Sequence, residues 1–155
     1  MDWSEQREAA CEAARRAAAV LAHWRGRFNI REKGHADLVS EADIGAQNAI
    51  REYLQTRFPE HAFLGEEDAT HHRPGPDAPP TWIVDPLDGT TNYVHDMPLY
   101  SVSIGLQVAS DLVVGVVYDP SRDEMFHAAT GQGAKVNDTP LRTSTIDRLD
   151  RAMLL

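Results

Sequence analysis

The chain has 155 residues, 42% of them hydrophobic and 25% charged, with a formal net charge of -9. That length and apolar content support one globular unit with a real core, and the acidic excess argues against nucleic acid or anionic lipid as partners, since both require clustered Lys and Arg. The lone cysteine, Cys11, has no internal partner and reads as a small buried apolar residue, so a reducing, cytoplasmic setting is expected. Asp2, Glu5 and Glu8 stand where a secretory leader would be basic, and no apolar run approaches a membrane span, so neither secretion nor membrane insertion is expected.

From Trp3 to about Phe28 the spacing predicts a helix, because Ala9, Ala13, Ala17, Val20, Leu21 and Trp24 recur at three- and four-residue steps and Gly26 weakens its end. A second helix is expected to begin near Ser40, where Ser40 and Asp43 imitate a capping box. It carries the apolar stripe Ile44, Ala46, Ile50 and Leu54 and stops at Pro59. Ala62 to Leu64 reads as a short strand delivering Gly65-Glu66-Glu67, and His71 to Pro80 as a polar, Pro-rich surface loop. An apolar strand beginning at Trp82 then runs into Asp85-Pro86-Leu87-Asp88-Gly89-Thr90-Thr91-Asn92. Further strands are expected at Ser101 to Val108, Leu112 to Tyr118 and Glu124 to Ala129, with a break at Gly131-Gln132-Gly133. Helices first and an antiparallel meander later predict an α+β fold of layered helices packed on an antiparallel sheet.

Chemistry concentrates where strands end. Asp85 and Asp88 supply hard oxygen ligands, Pro86 stiffens the turn between them, and Gly89 lets backbone amides approach an anion. Together with Glu66 and Glu67 they make four acids at two strand ends, which repel one another unless a divalent metal neutralises them. Each residue also has a plainer reading. Asp85 and Asp88 fit an acidic β-turn, Glu66 and Glu67 a solvated strand end, Thr90 a helix cap and Asp43 the acid of its capping box. His71 and His72 lack partners at ligand spacing and read as solvated loop; His95 could reach the mouth of the site.

With these motifs in place, the chain resembles the inositol monophosphatase family, whose members are magnesium-dependent, lithium-sensitive phosphatases. The match runs through Asp37 to Asp43, Gly65-Glu66-Glu67, Trp82 to Asn92, Pro98 to Gly105, and Gly131 to Ala134 leading to Asn137. The resemblance implies the N-terminal half of the inositol monophosphatase and fructose-1,6-bisphosphatase fold, with residues 1–155 as a single N-terminal phosphatase domain. It implies that Asp85 bridges two Mg2+ ions, that Glu66 and the Leu87 carbonyl complete one ion's protein ligands, and that Asp88 serves the other.

By the same resemblance, Thr90 and Asp43, with Glu66, form the catalytic set that orients and activates a water, and phosphate rests on the amides of Gly89 and Thr90. Glu67 and Thr91 support the ligands from behind, and Lys33 approaches from the segment ahead of Asp37. The implied substrate is a small phosphorylated polyol, inositol monophosphate first; relatives handle histidinol phosphate, fructose 1,6-bisphosphate and adenosine 3',5'-bisphosphate. A homodimer is the implied assembly. One departure stands out. The family's C-terminal part brings a further aspartate in a Trp-Asp-type motif, this sequence offers no candidate for it, and the chain therefore reads as the N-terminal part, with an apolar face left exposed and its catalytic competence in question.

Overall fold

The computed structural model describes residues 1–25, 27, 35–66, 68 and 75–153, with backbone alone over 35–40. Two long helices, α1 (Ser4–Trp24) and α2 (His35–Arg57), precede the strands β1 (Ala62–Gly65) and β2 (Thr81–Asp88), a short helix α3 (Thr90–Val94), and then β3 (Ser101–Val108), β4 (Asp111–Asp119), β5 (Glu124–Ala129), β6 (Gly133–Val136) and β7 (Thr139–Pro140). The strands form one seven-stranded sheet in sequence order. It is antiparallel from β2 to β7, and β1 is added to β2 in parallel. None of the described helices is long and apolar enough to cross a membrane.

The helices pack on one face of this sheet. α1 lies against β3, β4 and β5, and α2 against β1 and β2. The alanines that line α1, from Ala9 through Ala18, are buried, which lets the two helices approach closely. Period-two alternation decides what the sheet contributes: Trp82 and Val84 of β2, Val102, Ile104 and Leu106 of β3, and Val114 and Val116 of β4 are all buried in the same core. Cys11 is buried there too, as expected.

On the other face the register sets Ile83 at one end of a row of residues with little or no side chain. Ile83 pairs with Gly105, Gly105 with Gly115, Gly115 with Ala128 and Ala128 with Ala134. Around this floor Leu112 (62% exposed), Val117 (41%), Phe126 (37%) and Leu141 (41%) meet water, so the described part of the chain does expose an apolar face.

Several boundaries differ from the sequence reading, three of them in ways that matter here. α2 begins at His35, so Ser40 lies inside the helix and is not its N-cap; no glycine or proline interrupts His35 to Ile44, and the helical stretch extends upstream. α1 ends at Trp24, before the expected end near Phe28. β6 and β7 extend the meander beyond Gly131-Gln132-Gly133, where the sequence reading placed only a break.

Candidate active site

The site grows from an irregularity in β2. Asp85 pairs with Ser103 and Asp88 with Ser101, so three steps along β2 face two along β3 and one residue is extra. Pro86 has no amide to give a ladder, which favours a bulge here. In an unbroken strand, residues three apart point to opposite sides; the additional residue turns the Asp88 side chain toward that of Asp85, and the Asp88 charge is felt at Asp85. Leu87 donates its amide to Asp85 Oδ1 at 3.1 Å, fixing the carboxylate in an Asx-type turn, and the Leu87 side chain is buried beneath.

Glu66 arrives from β1. Its amide donates to the Val84 carbonyl at 3.0 Å, so the parallel pairing carries on past the strand and sets Glu66 beside Asp85. The two carboxyl groups come within hydrogen-bonding reach of each other. Burial, then the Glu66 charge and hydrogen bonding to Glu66, push the Asp85 carboxyl up to about 7, with the Leu87 amide pulling the other way. Below about pH 7 the Asp85 carboxyl therefore tends to keep its proton in the metal-free chain. A hard divalent cation fits the same place, because the donors are carboxylates with a backbone carbonyl close by. Among the described residues no three acids or histidines already close into a shell of metal-binding size. Asp88 stands one bulge away, exposed, with a long 3.5 Å contact from Ser101 Oγ.

Beyond Asp88 the chain turns sharply through Gly89, whose φ of 87° is left-handed. A Cβ here would also lie 2.7 Å from the Leu99 carbonyl oxygen, so glycine is required twice over. The turn opens α3, and the first amides of a helix have no partner within it. Thr90 Oγ1 donates to the Leu87 carbonyl at 2.9 Å, tying the helix back to the bulge. Asn92 Nδ2 holds the Leu99 carbonyl at 2.8 Å, and the buried Tyr93 hydroxyl donates to the Leu21 carbonyl of α1 at 2.6 Å.

Asp43 is buried on α2 (5% exposed). Burial first, then Tyr100, push the Tyr93 phenol well above its ordinary value, and Asp43 adds to that rise, which puts Asp43 beside α3. Thr91 is exposed, and His95 is exposed at the C-cap of α3. Glu67, Lys33, His71 and His72 lie outside the described residues.

An open cleft of about 500 Å³ borders the acidic pair, lined by Leu64, Glu66, Ile83, Asp85, Ser103 and Gln107. Ser101, Ser103 and Gln107 were not singled out from sequence, although their alternation with buried Val102, Ile104 and Leu106 marks them as the opposite face of β3. The structure thus brings Glu66, Asp85, Leu87, Asp88, Gly89 and Thr90 to one end of the sheet, with Asp43 behind α3.

A model of the inositol monophosphatase family matches residues 2–155. The chain belongs to this family. Among its relatives, an inositol-1-monophosphatase from Synechocystis is 45% identical over 139 residues, covering 89% of this chain and 48% of that protein. A protein named Nus factor SuhB from Pasteurella multocida is 41% identical over 136 residues, covering 86% of this chain and 50% of its own length. Among solved structures, the extragenic suppressor protein suhB from Bartonella henselae superimposes with a TM-score of 0.80 at 37% identity, covering 95% of this chain and 57% of that one.

The chain therefore spans about half the length of the relatives it matches, and its fold is that of inositol monophosphatase and SuhB proteins over that half. The names of those relatives divide between a phosphatase and a Nus factor. The acidic net charge alone accordingly does not remove nucleic acid or a nucleic-acid-bound protein from the partners to be tested.

Proposed function

We propose that this chain is the N-terminal half-site of a magnesium-dependent phosphomonoesterase acting on a small phosphorylated polyol, inositol monophosphate first. The observation that carries this reading is the contact between Glu66 and Asp85 at the edge of an open cleft, one bulge from Asp88 and one turn from the amides of Gly89 and Thr90. Glu66, Asp85 and the Leu87 carbonyl would hold one Mg2+, and Asp85 with Asp88 a second. When bound, such a pair of ions supplies hydroxide near neutral pH and offsets charge on the transferring phosphoryl group.

The remaining work belongs to the chain itself. Gly89 and Thr90 present amides to the phosphate at the start of α3. Thr90, held by its bond to the Leu87 carbonyl, orients the attacking water together with Asp43, and Glu66 draws its proton. The same family reading assigns Glu67 and Thr91 supporting roles in this set. Residues 1–155 act as one N-terminal domain, and the full-length protein acts as a homodimer, with nucleic acid left among the partners to be tested.

A second reading is favoured by the chain's coverage of only about half of its relatives. In it the 155-residue unit binds metal and phosphate without turning over. Phosphate release from a panel of inositol, sugar, histidinol and nucleoside phosphates, with and without Mg2+, separates the two. Release that disappears in Asp88→Asn supports the enzyme; no release from any substrate, with Mg2+ binding retained, supports the binding module.

A further inference from the structure

Glu66 is the first residue beyond β1, at a place where a strand end would fray, and only its amide bond to Val84 is part of the ladder. The next described residue, Asp68, carries no ladder bond yet is the most tied-down acid of the region. Its Oδ2 accepts the Gly65 amide at 2.8 Å, and its own amide donates back to the Gly65 carbonyl at 3.1 Å, which closes a tight turn around Glu66. Arg51 of α2 reaches both Asp68 oxygens with one nitrogen, at 2.6 and 2.8 Å, and its guanidinium lies over the Phe63 ring, 4.2 Å from the centroid. Gln47, one turn earlier on α2, adds a 3.4 Å contact to Asp68. It sits so close to Gly65 that a Cβ there would collide with Gln47 Oε1.

Three hydrogen bonds from α2 thus converge on the turn that carries Glu66. We propose that Arg51 and Asp68 form a positioning clamp that holds Glu66 against Asp85, so that the two carboxylates are already assembled when a divalent cation arrives. This rests on the metal reading of Glu66 and Asp85 given above. Arg51 absorbs the charge of Asp68, and both Asp68 oxygens are engaged, so Asp68 serves as a strut and not as another ligand. The clamp therefore orders the turn without adding net charge beside the cleft. Partners that hold a ligand from behind in this way change metal affinity by about 10- to 100-fold when removed.

The test uses the 155-residue chain with Mn2+ as probe, binding followed by electron paramagnetic resonance and amide exchange by NMR. Arg51→Ala and Asp68→Ala are expected to weaken Mn2+ by about tenfold and to speed exchange at the Gly65 and Glu66 amides, leaving the β3 and β4 amides unchanged. Arg51→Lys, which keeps the charge but loses the planar head, is expected to recover part of the affinity. A purely structural role would lower the melting temperature and leave Mn2+ affinity intact, which overturns the proposal, as does unchanged exchange at Gly65 and Glu66. If wild type and Asp85→Asn bind Mn2+ equally, the metal reading fails by itself; local exchange in Arg51→Ala then still decides whether the clamp exists.

Discussion

The two halves of β2 adjoin at Val84 and Asp85 and obey different rules. From Thr81 to Val84 the strand is regular, paired on both sides, and sends Trp82 and Val84 into the core, where Phe58 and His61 pack on the indole. From Asp85 to Asp88 it bulges, presents Asp85 to the cleft and leaves Asp88 exposed beside it. Continuous pairing serves burial, whereas one added residue re-aims side chains that a strict two-residue alternation would separate. A single strand can therefore anchor a fold at one end and offer ligands at the other.

The largest effect should come from attacking the anchor. Trp82→Ala is expected to cost about 3–5 kcal/mol in urea unfolding, because the indole is fully buried; a loss below about 1 kcal/mol would place the anchor elsewhere. Attacking the acidic half should do the reverse. Asp85→Ala is expected to keep the fold and abolish stabilisation by Mg2+, which in wild type amounts to about 2.7 kcal/mol at a hundredfold excess over Kd. A melting temperature that still climbs with Mg2+ in that variant contradicts the ligand assignment. The turn that follows is next in size: Gly89→Ala meets both a left-handed φ and the Leu99 carbonyl, at a cost of about 1–3 kcal/mol by chemical denaturation.

The proton kept in the acidic half gives a pH signature. Because the folded Asp85 carboxyl holds its proton up to about 7 and the unfolded one releases it near 3.8, metal-free stability contributed by this group is full below about pH 4 and declines as pH rises toward about 7. Thermal melts from pH 4 to 8 without Mg2+ should show that decline, and Asp85→Asn should flatten it. The smallest change in stability is expected for Glu66→Gln, within about 0.5 kcal/mol, since Glu66 is exposed; turnover on any active substrate should nevertheless fall, and severe unfolding would make Glu66 structural.

Much of this was legible in sequence where one physical signal dominated. Alternation over Ser101–Val108 located β3 and the strand expected at Glu124–Ala129 located β5, each with its observed bounds, while the turn expected at Pro86 is a bulge inside β2. β6 was missed because Gly133-Ala134-Lys135-Val136 is short and begins on a glycine at positive φ, so it looks like a breaker. The helix start was misplaced because a local capping pattern at Ser40 was given more weight than the uninterrupted helical stretch before it. The Arg51–Asp68 clamp had no sequence signature at all. Its partners are 17 residues apart on a helix and a turn, and only the docking of α2 onto β1 brings them together.

Near the amino terminus, Arg7 donates to Gln132 at 2.7 Å, and Gln132 in turn donates to Asp2 and Ser4, so contacts span 125 to 130 positions. α1 precedes β3, β4 and β5 in the chain yet docks on them, and they are synthesised much later. The part of the buried side of α1 that α2 does not cover must therefore wait until β3 to β5 emerge, and closing so long a loop makes this docking a slow event in assembly. Synonymous changes that alter the pace of elongation across β3 to β5 would act on that interval without altering a single side chain.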